Sequence, residues 1–201
     1  MKIEVLYHSS IRFTLENKII YFDPFEIKDE THDANIIFIT HSHFDHYSKK
    51  DIDKIINTNT IIVEPKSMKN RDYKNVIYVN PFENIIVDGI EVSIVPSYNN
   101  SKSFHKKSDG FVGYILKIDD ETYYVMGDTD ENKDILNVKA DNIFIPIGGK
   151  YTFDYLEAKS YINKVKPKRV YPTHLTYCIE DHTKVLNNFK KLIDKNIEVI
   201  F

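Results

Sequence analysis

Apolar residues fall in short β-branched and aromatic runs rather than at the three-and-four spacing of long helices. Lys2 to Tyr7, Ile11 to Leu15 and Lys18 to Phe22 predict three strands, the last two joined by a turn at Glu16-Asn17, and together a meander. Asn35 to Thr40 is apolar without alternation, as in a strand buried on both faces, and it leads directly into His41. Ser48 is placed to cap a helix running through Ile56, with Ile52, Ile55 and Ile56 at helical spacing, and Ile61 to Val63 returns as a strand.

The middle of the chain is again strand-rich. Val76 to Val79, Ile85 to Val87, Ile90 to Val95, Val112 to Ile118 and Thr122 to Met126 predict five strands, with turns at Asp88-Gly89 and Asp119-Asp120. Ile143 to Ile147 is a further buried-strand run ending at Gly148-Gly149. Asp154 with Glu157 then resembles a capping box opening a helix through Val165, which Pro167 stops. Val170-Tyr171 is a short strand before Pro172-Thr173-His174, Thr183 to Ile193 a last helix, and Ile197 to Phe201 a closing strand. The helices are too few to separate every strand. That pattern predicts an α/β protein of the αββα kind: two mixed β-sheets packed face to face with helices on the outer faces.

At 201 residues the chain fits a single domain spanning 1–201, and no repeat or low-complexity tract interrupts it. With 27 basic and 30 acidic residues, no bulk cationic field recruits nucleic acid. No apolar run approaches the roughly 20 residues that span a bilayer. Cys178, the only cysteine, has no internal disulfide partner and reads as a bystander, and the N-terminal residues lack the layout of a secretory signal. The expectation is a cytoplasmic protein that acts on a small molecule, without membrane association, with self-association left open.

The chemistry concentrates in His41-Ser42-His43-Phe44-Asp45-His46, four ligand-type side chains within six positions at a strand's C-terminal end. Imidazoles and carboxylates at this density suit a divalent transition metal, which needs several such donors to converge at about 2 Å. The loop must turn for them to meet, with His41 and His43 facing one way and Asp45 and His46 serving a neighbouring ion. Asp128 follows an apolar strand and Gly127, and His174 follows Pro172 at another strand end. His105 lies in the polar stretch 99–110, where a solvated histidine is also ordinary.

Thr40 to His46 resembles the H-x-H-x-D-H signature of the metallo-β-lactamase superfamily. Tyr21-Phe22-Asp23-Pro24, Tyr98-Asn99, Gly127-Asp128-Thr129, Pro146 to Thr152 and Pro172-Thr173-His174 extend the likeness over nearly the whole chain, and together they are similar to the compact branch related to ascorbate-6-phosphate lactonases. The resemblance implies that His41, His43 and His105 hold one metal, that Asp45, His46 and His174 hold a second, and that Asp128 bridges them. It further implies that Asp45 and Asp128 serve catalysis and that Tyr98, Asn99, Tyr151 and Thr152 are candidate substrate contacts. His8 stands where that branch has a Gly-His-Ser turn, here preceded by Tyr7, and is expected either beside the pocket or as a buried structural histidine. Asp23 is expected to accept a hydrogen bond from a ligand imidazole or to end its strand in an Asp-Pro turn. His32 and His182 are expected at the surface.

Two divalent ions about 3.5 to 4 Å apart lower the pKa of a shared water from about 15.7 toward about 7, so a bridging hydroxide is the expected nucleophile. The expected reaction is hydrolysis of a small ester, lactone or phosphorylated metabolite. Di-iron redox relatives carry glutamate where His43 stands, which favours zinc and hydrolysis, with manganese and iron as alternatives. Two other readings stay open. One is a phosphodiesterase acting on cyclic nucleotides or RNA, motivated by Lys102, Lys106 and Lys107. The other is a metal-binding module without turnover.

Overall fold

The computed structural model describes residues 1–68, 72–176 and 180–201, so Cys178 lies outside the described residues. The chain forms two compact units, Met1–Asn80 and Pro81–Phe201.

The first unit holds β1 (Lys2–Tyr7), β2 (Ser10–Thr14), β3 (Ile19–Phe22), β4 (Ile36–Phe38), α1 (Lys49–Ile55), β5 (Ile61–Pro65) and β6 (Val76–Val79). Its six strands lie in sequence order, antiparallel from β1 to β3 and parallel from β3 to β6. Ile52 and Ile55 of α1 are buried in one cluster with Tyr21, Ile37, Ile39 and Ile62, so the helix covers one face of the sheet.

Two local expectations are corrected here. The fourth strand is three residues long rather than six, because the backbone N–H of Thr40 leaves the ladder and donates to the Asp23 side chain. Ser48 does occupy the N-cap position of α1, but its hydroxyl donates to Asp51 Oδ2 at 2.6 Å instead of capping an amide. Asp51 also accepts the amides of Glu26 and Ile27. Burial pushes the Asp51 carboxyl upward, yet Ser48, Lys54 and the Glu26 amide outweigh it and hold it below its ordinary value.

The second unit holds β7 (Asn84–Val87), β8 (Ile90–Pro96), β9 (Val112–Ile118), β10 (Glu121–Val125), β11 (Asn142–Pro146), α2 (Tyr155–Val165), β12 (Arg169–Thr173), α3 (His182–Leu192) and β13 (Glu198–Val199). Its sheet order is β13-β12-β11-β10-β9-β8-β7, antiparallel from β7 to β10 and parallel from β10 to β13. The closing strand is two residues, not five. Asp88 and Gly89 take φ of 47° and 84°, the left-handed pair that matches hairpin twist. Asp154 Oδ1 accepts the amides of Leu156 and Glu157 at 2.8 Å each, while Glu157 accepts the Asp154 amide, completing the capping box. Ala158, Tyr161 and Ile162 of α2 and Phe189 of α3 pack with Ile143, Ile145 and Val170 of the sheet.

Each unit is thus a mixed sheet covered by helix, an α/β plan built twice. In both, the parallel strands end in the polar loops: Asp23 follows β3 and His41 lies beyond β4, while Asp128 lies beyond β10 and His174 follows β12. Carboxyl ends of parallel strands are where α/β sheets place their ligands.

Candidate metal centre

In the first unit the histidine loop is held from behind by Asp23. Its Oδ1 accepts the Thr40 amide at 2.8 Å, and its Oδ2 accepts the Thr40 hydroxyl at 2.6 Å and lies 2.7 Å from His46 Nδ1. The Thr40 oxygen also lies 3.0 Å from His41 Nδ1. Because the single hydroxyl proton goes to Asp23, His41 Nδ1 must be the donor in that contact. His46 Nδ1 likewise donates to Asp23. Both rings therefore carry a proton on Nδ1 and offer Nε2 as the acceptor, the form a metal ligand requires. His41 and His46 are fully buried, and their rings lie 4.0 Å apart.

His41 Nε2 lies 3.1 Å from His43 Nδ1. His8, also buried, places Nε2 3.2 Å from Asp45 Oδ2, and Asp45 Oδ2 lies 4.0 Å from His46 Nε2. One donor atom each of His8, Asp45 and His46 therefore falls within 4.8 Å of the others.

In the second unit Asp128 is buried between two imidazoles. Its Oδ2 lies 3.3 Å from His105 Nε2 and 3.0 Å from His174 Nε2, so one oxygen serves both rings. His105, expected as a ligand although it lies in a polar loop where a solvated histidine is ordinary, is 3% exposed. Its loop is closed by the Asn99 amide, which donates to the His105 carbonyl at 2.8 Å. The Asn99 side-chain amide donates to the carbonyls of Phe104 at 3.0 Å and Tyr151 at 2.7 Å. The Thr129 hydroxyl donates to the Tyr98 carbonyl at 2.8 Å and accepts Asn132 Nδ2 at 3.1 Å, tying the Asp128 loop to the Tyr98-Asn99 segment.

Two donors on one tetrahedral ion with bonds near 2.0–2.1 Å stand about 3.3 Å apart. The His41–His43, His105–Asp128 and His174–Asp128 separations of 3.1, 3.3 and 3.0 Å have that spacing, and the nitrogen and carboxylate donors suit a borderline divalent ion. The residues fit a metal. His8, Asp23, His105 and His174 also take positive φ of 55°, 43°, 55° and 61°. Each such residue costs roughly 1–2 kcal/mol relative to ordinary backbone, and strain of this kind gathers at functional sites.

The remaining candidates are not among these donor atoms. The Tyr98 hydroxyl donates to Asp134 Oδ2 at 2.8 Å, and Lys107 lies over its ring and pairs with the same carboxylate. Burial and then Asp134 push the Tyr98 hydroxyl upward. Thr152 is fully buried with its hydroxyl on the Phe153 carbonyl, while Tyr151 is half-buried. His32 is exposed between Glu30 and the Ile56 carbonyl, and His182 is exposed at the start of α3. Sequence reasoning assigned no role to the hydroxyls of Thr40 and Thr129. Their signal was position alone, each beside a candidate ligand.

The family model described as "Beta-lactamase superfamily domain" matches residues 2–174, and the chain belongs to that superfamily. Within it the chain belongs to the UPF0173 metal-dependent hydrolases. A UPF0173 metal-dependent hydrolase of Nanoarchaeum equitans is 30% identical over 87% of this chain and 83% of its own length. One of Pyrococcus horikoshii is 27% identical over 100% of the chain and 95% of its own length. Among solved structures, a putative metal-dependent hydrolase from Parabacteroides distasonis superposes with a TM-score of 0.83 at 25% identity, covering 98% of this chain and 90% of that one.

Proposed function

We propose that the chain is a dinuclear metal-dependent hydrolase of a small ester, lactone or phosphorylated metabolite. In this reading His41, His43 and His105 hold one ion, Asp45, His46 and His174 the other, and Asp128 belongs to both. The observation that carries it is Asp128 Oδ2, at ligand spacing from His105 and His174 alike, two histidines assigned to different ions. Zinc fits the donor set best, with manganese and iron as alternatives. When bound, such ions polarise a carbonyl or phosphoryl oxygen and lower the pKa of water toward neutrality.

The chain's own residues supply the rest. Asp23 and Thr40 keep the His41 and His46 lone pairs at Nε2. Asp45 and Asp128 offer carboxylate oxygens that orient the attacking water, and His8 steadies Asp45 from the side. Two of the three lysines that motivated a nucleic-acid substrate face acids: Lys102 pairs with Glu157 and Asp130, and Lys107 with Asp134. That pairing favours the small-molecule reading. Among the described residues no helix is long and apolar enough to cross a membrane.

The test combines elemental analysis of protein purified without added metal with turnover of ester, lactone and phosphodiester panels. The expected result is bound metal and metal-dependent turnover that falls by about 10³-fold or more in Asp128→Ala, since each ion contributes several kcal/mol to the transition state. Metal-loaded protein that is inert across the panels would favour the non-catalytic module, and steep salt inhibition on oligonucleotides would favour the phosphodiesterase.

A further inference from the structure

Beside the candidate ligands of the second unit stands an aromatic pair: Tyr151, a substrate-contact candidate by resemblance alone, and Phe104, to which the preceding chemistry gives no role. Phe104, immediately before His105, is 46% exposed although it lies in an otherwise polar loop. Its ring meets Tyr151 edge to face, with centroids 4.8 Å apart at 85°. Lys150 Nζ caps the Tyr151 ring at 4.9 Å. Two loops distant in sequence thus bring their rings together at a protein surface.

The pair is built rather than incidental. Asn99 is buried, and the two hydrogens of its side-chain amide go to the carbonyls of Phe104 and Tyr151, one to each aromatic residue. Its backbone amide holds the His105 carbonyl, and its Nδ2 lies 3.3 Å from His105 Nδ1. One side chain therefore ties together the two backbone segments that carry the rings, one of them the loop that carries a candidate ligand. The neighbouring residue's left-handed backbone, φ 55° at His105, turns the chain so that Phe104 stays out while His105 goes in. The first unit repeats the arrangement in a simpler form. Phe44, between His43 and Asp45, is 69% exposed, with its ring edge-on to buried Phe25 at 6.0 Å.

We propose that Phe104 and Tyr151 form the recognition wall for the non-reacting part of the substrate, and that this part is an aryl or comparably bulky apolar group. This rests on the hydrolase reading above and deepens it by naming the substrate class. A wall of two rings at right angles offers an incoming ring one face and one edge, the two favoured aromatic geometries. A small polar metabolite would leave the same rings in water. Asn99 acts as a positioning residue for the wall.

The first experiment compares hydrolysis of ethyl 3-phenylpropanoate and ethyl acetate by the metal-loaded enzyme, a pair with the same leaving group and comparable carbonyls. The expected kcat/KM ratio is about tenfold or more in favour of the phenyl ester, an aromatic contact plus its buried area being of that order. Phe104→Ala and Tyr151→Ala bring the ratio to within about twofold of one, while Phe104→Leu retains part of it and Tyr151→Phe most of it. A ratio near one in the unaltered enzyme, or a ratio unmoved by both alanine variants, overturns the proposal.

The second experiment needs no turnover. Calorimetric titration of the metal-loaded protein with 3-phenylpropanoate and with acetate, both carboxylates, expects about tenfold tighter binding of the first, lost in Phe104→Ala with the melting temperature unchanged. Binding preference without hydrolysis would sustain the wall and defeat the hydrolase reading. Hydrolysis without binding preference would do the reverse.

Discussion

Asp23 Oδ2 receives His46 Nδ1 at 2.7 Å, and both side chains are shut away from solvent. The contact decides which nitrogen of His46 is available, because a ring that donates from Nδ1 keeps its lone pair at Nε2. It also explains why the strand before the histidine loop ends early. Asp23 takes the Thr40 amide and hydroxyl at the same time, so a single carboxylate organises the amide at the strand end, one hydroxyl and one imidazole.

Asp23→Asn keeps the shape and tolerates the left-handed φ of 43° better than most residues, but it places an amide group where three donors now converge. The expected outcome is a loss of metal affinity of about 10- to 100-fold, measured by competition with a chromophoric chelator. Unchanged affinity would show that His46 is oriented by something else.

Thr40→Val is close to isosteric and removes only the hydroxyl. It leaves His41 Nδ1 facing a methyl group in a fully buried site and deprives Asp23 of a 2.6 Å donor. Stranding buried polar groups costs about 1–3 kcal/mol, so the variant is expected to unfold at correspondingly lower urea concentration. Metal affinity should fall with it, because the His41 proton is no longer held at Nδ1. Equal urea midpoints for the two proteins would refute this account.

Much of this was legible in the residues. The capping box at Asp154 and Glu157 is a local pattern, and it formed as read. So did the Asp88-Gly89 hairpin, whose two left-handed positions select those residue types. The early end of β4 was not legible, since the competing acceptor, Asp23, lies 17 residues away in sequence. Ser48 resembled a cap for the same reason that it is not one: a hydroxyl three residues from a carboxylate has a better acceptor than an amide has in it. In the candidate site, residue types and strand ends could be read, but not burial. His105 sits in a polar loop by composition and is nevertheless enclosed, because Asn99 folds that loop back on itself.

Gly113 illustrates a constraint invisible to pattern reading. A Cβ built there would stand 2.7 Å from the Val125 carbonyl oxygen and 2.8 Å from that of Met126, both backbone atoms of or beside the neighbouring strand β10. Gly113→Ala must therefore push β9 away from β10, just before the loop that carries Asp128. Overpacking of this kind typically costs about 1–3 kcal/mol. The expected reading is a melting temperature lowered by several degrees, about 2–4 °C per kcal/mol for a chain of this length. A neutral substitution would mean that the two strands separate more easily than their pairing implies.

Glu121 offers a test of stability against pH at a site remote from the histidines. It stands at the start of β10 and accepts Asn142 Nδ2 at 3.1 Å from β11 and Arg169 at 2.9 Å from β12, with Lys168 at 3.3 Å, so one carboxylate joins three adjacent strands. The Asn142 hydrogen bond, followed by those from Tyr123 and Lys168 and the charge of Arg169, outweighs desolvation and brings the carboxyl down from 4.5 to about 2. A depressed folded-state pKa stabilises the fold above the unfolded value, near 4.5, and that contribution disappears as pH falls through about 2. Glu121→Gln retains the size but cannot titrate. The expected result is a lower urea midpoint than the unaltered protein at pH 7, with the gap narrowing as pH falls from about 4.5 toward about 2. Because the side chain is a quarter exposed, the gap should also shrink in high salt. A midpoint difference that stays constant from pH 7 to pH 2.5 would assign the effect of the substitution to packing or to hydrogen bonding that the amide cannot reproduce, rather than to charge.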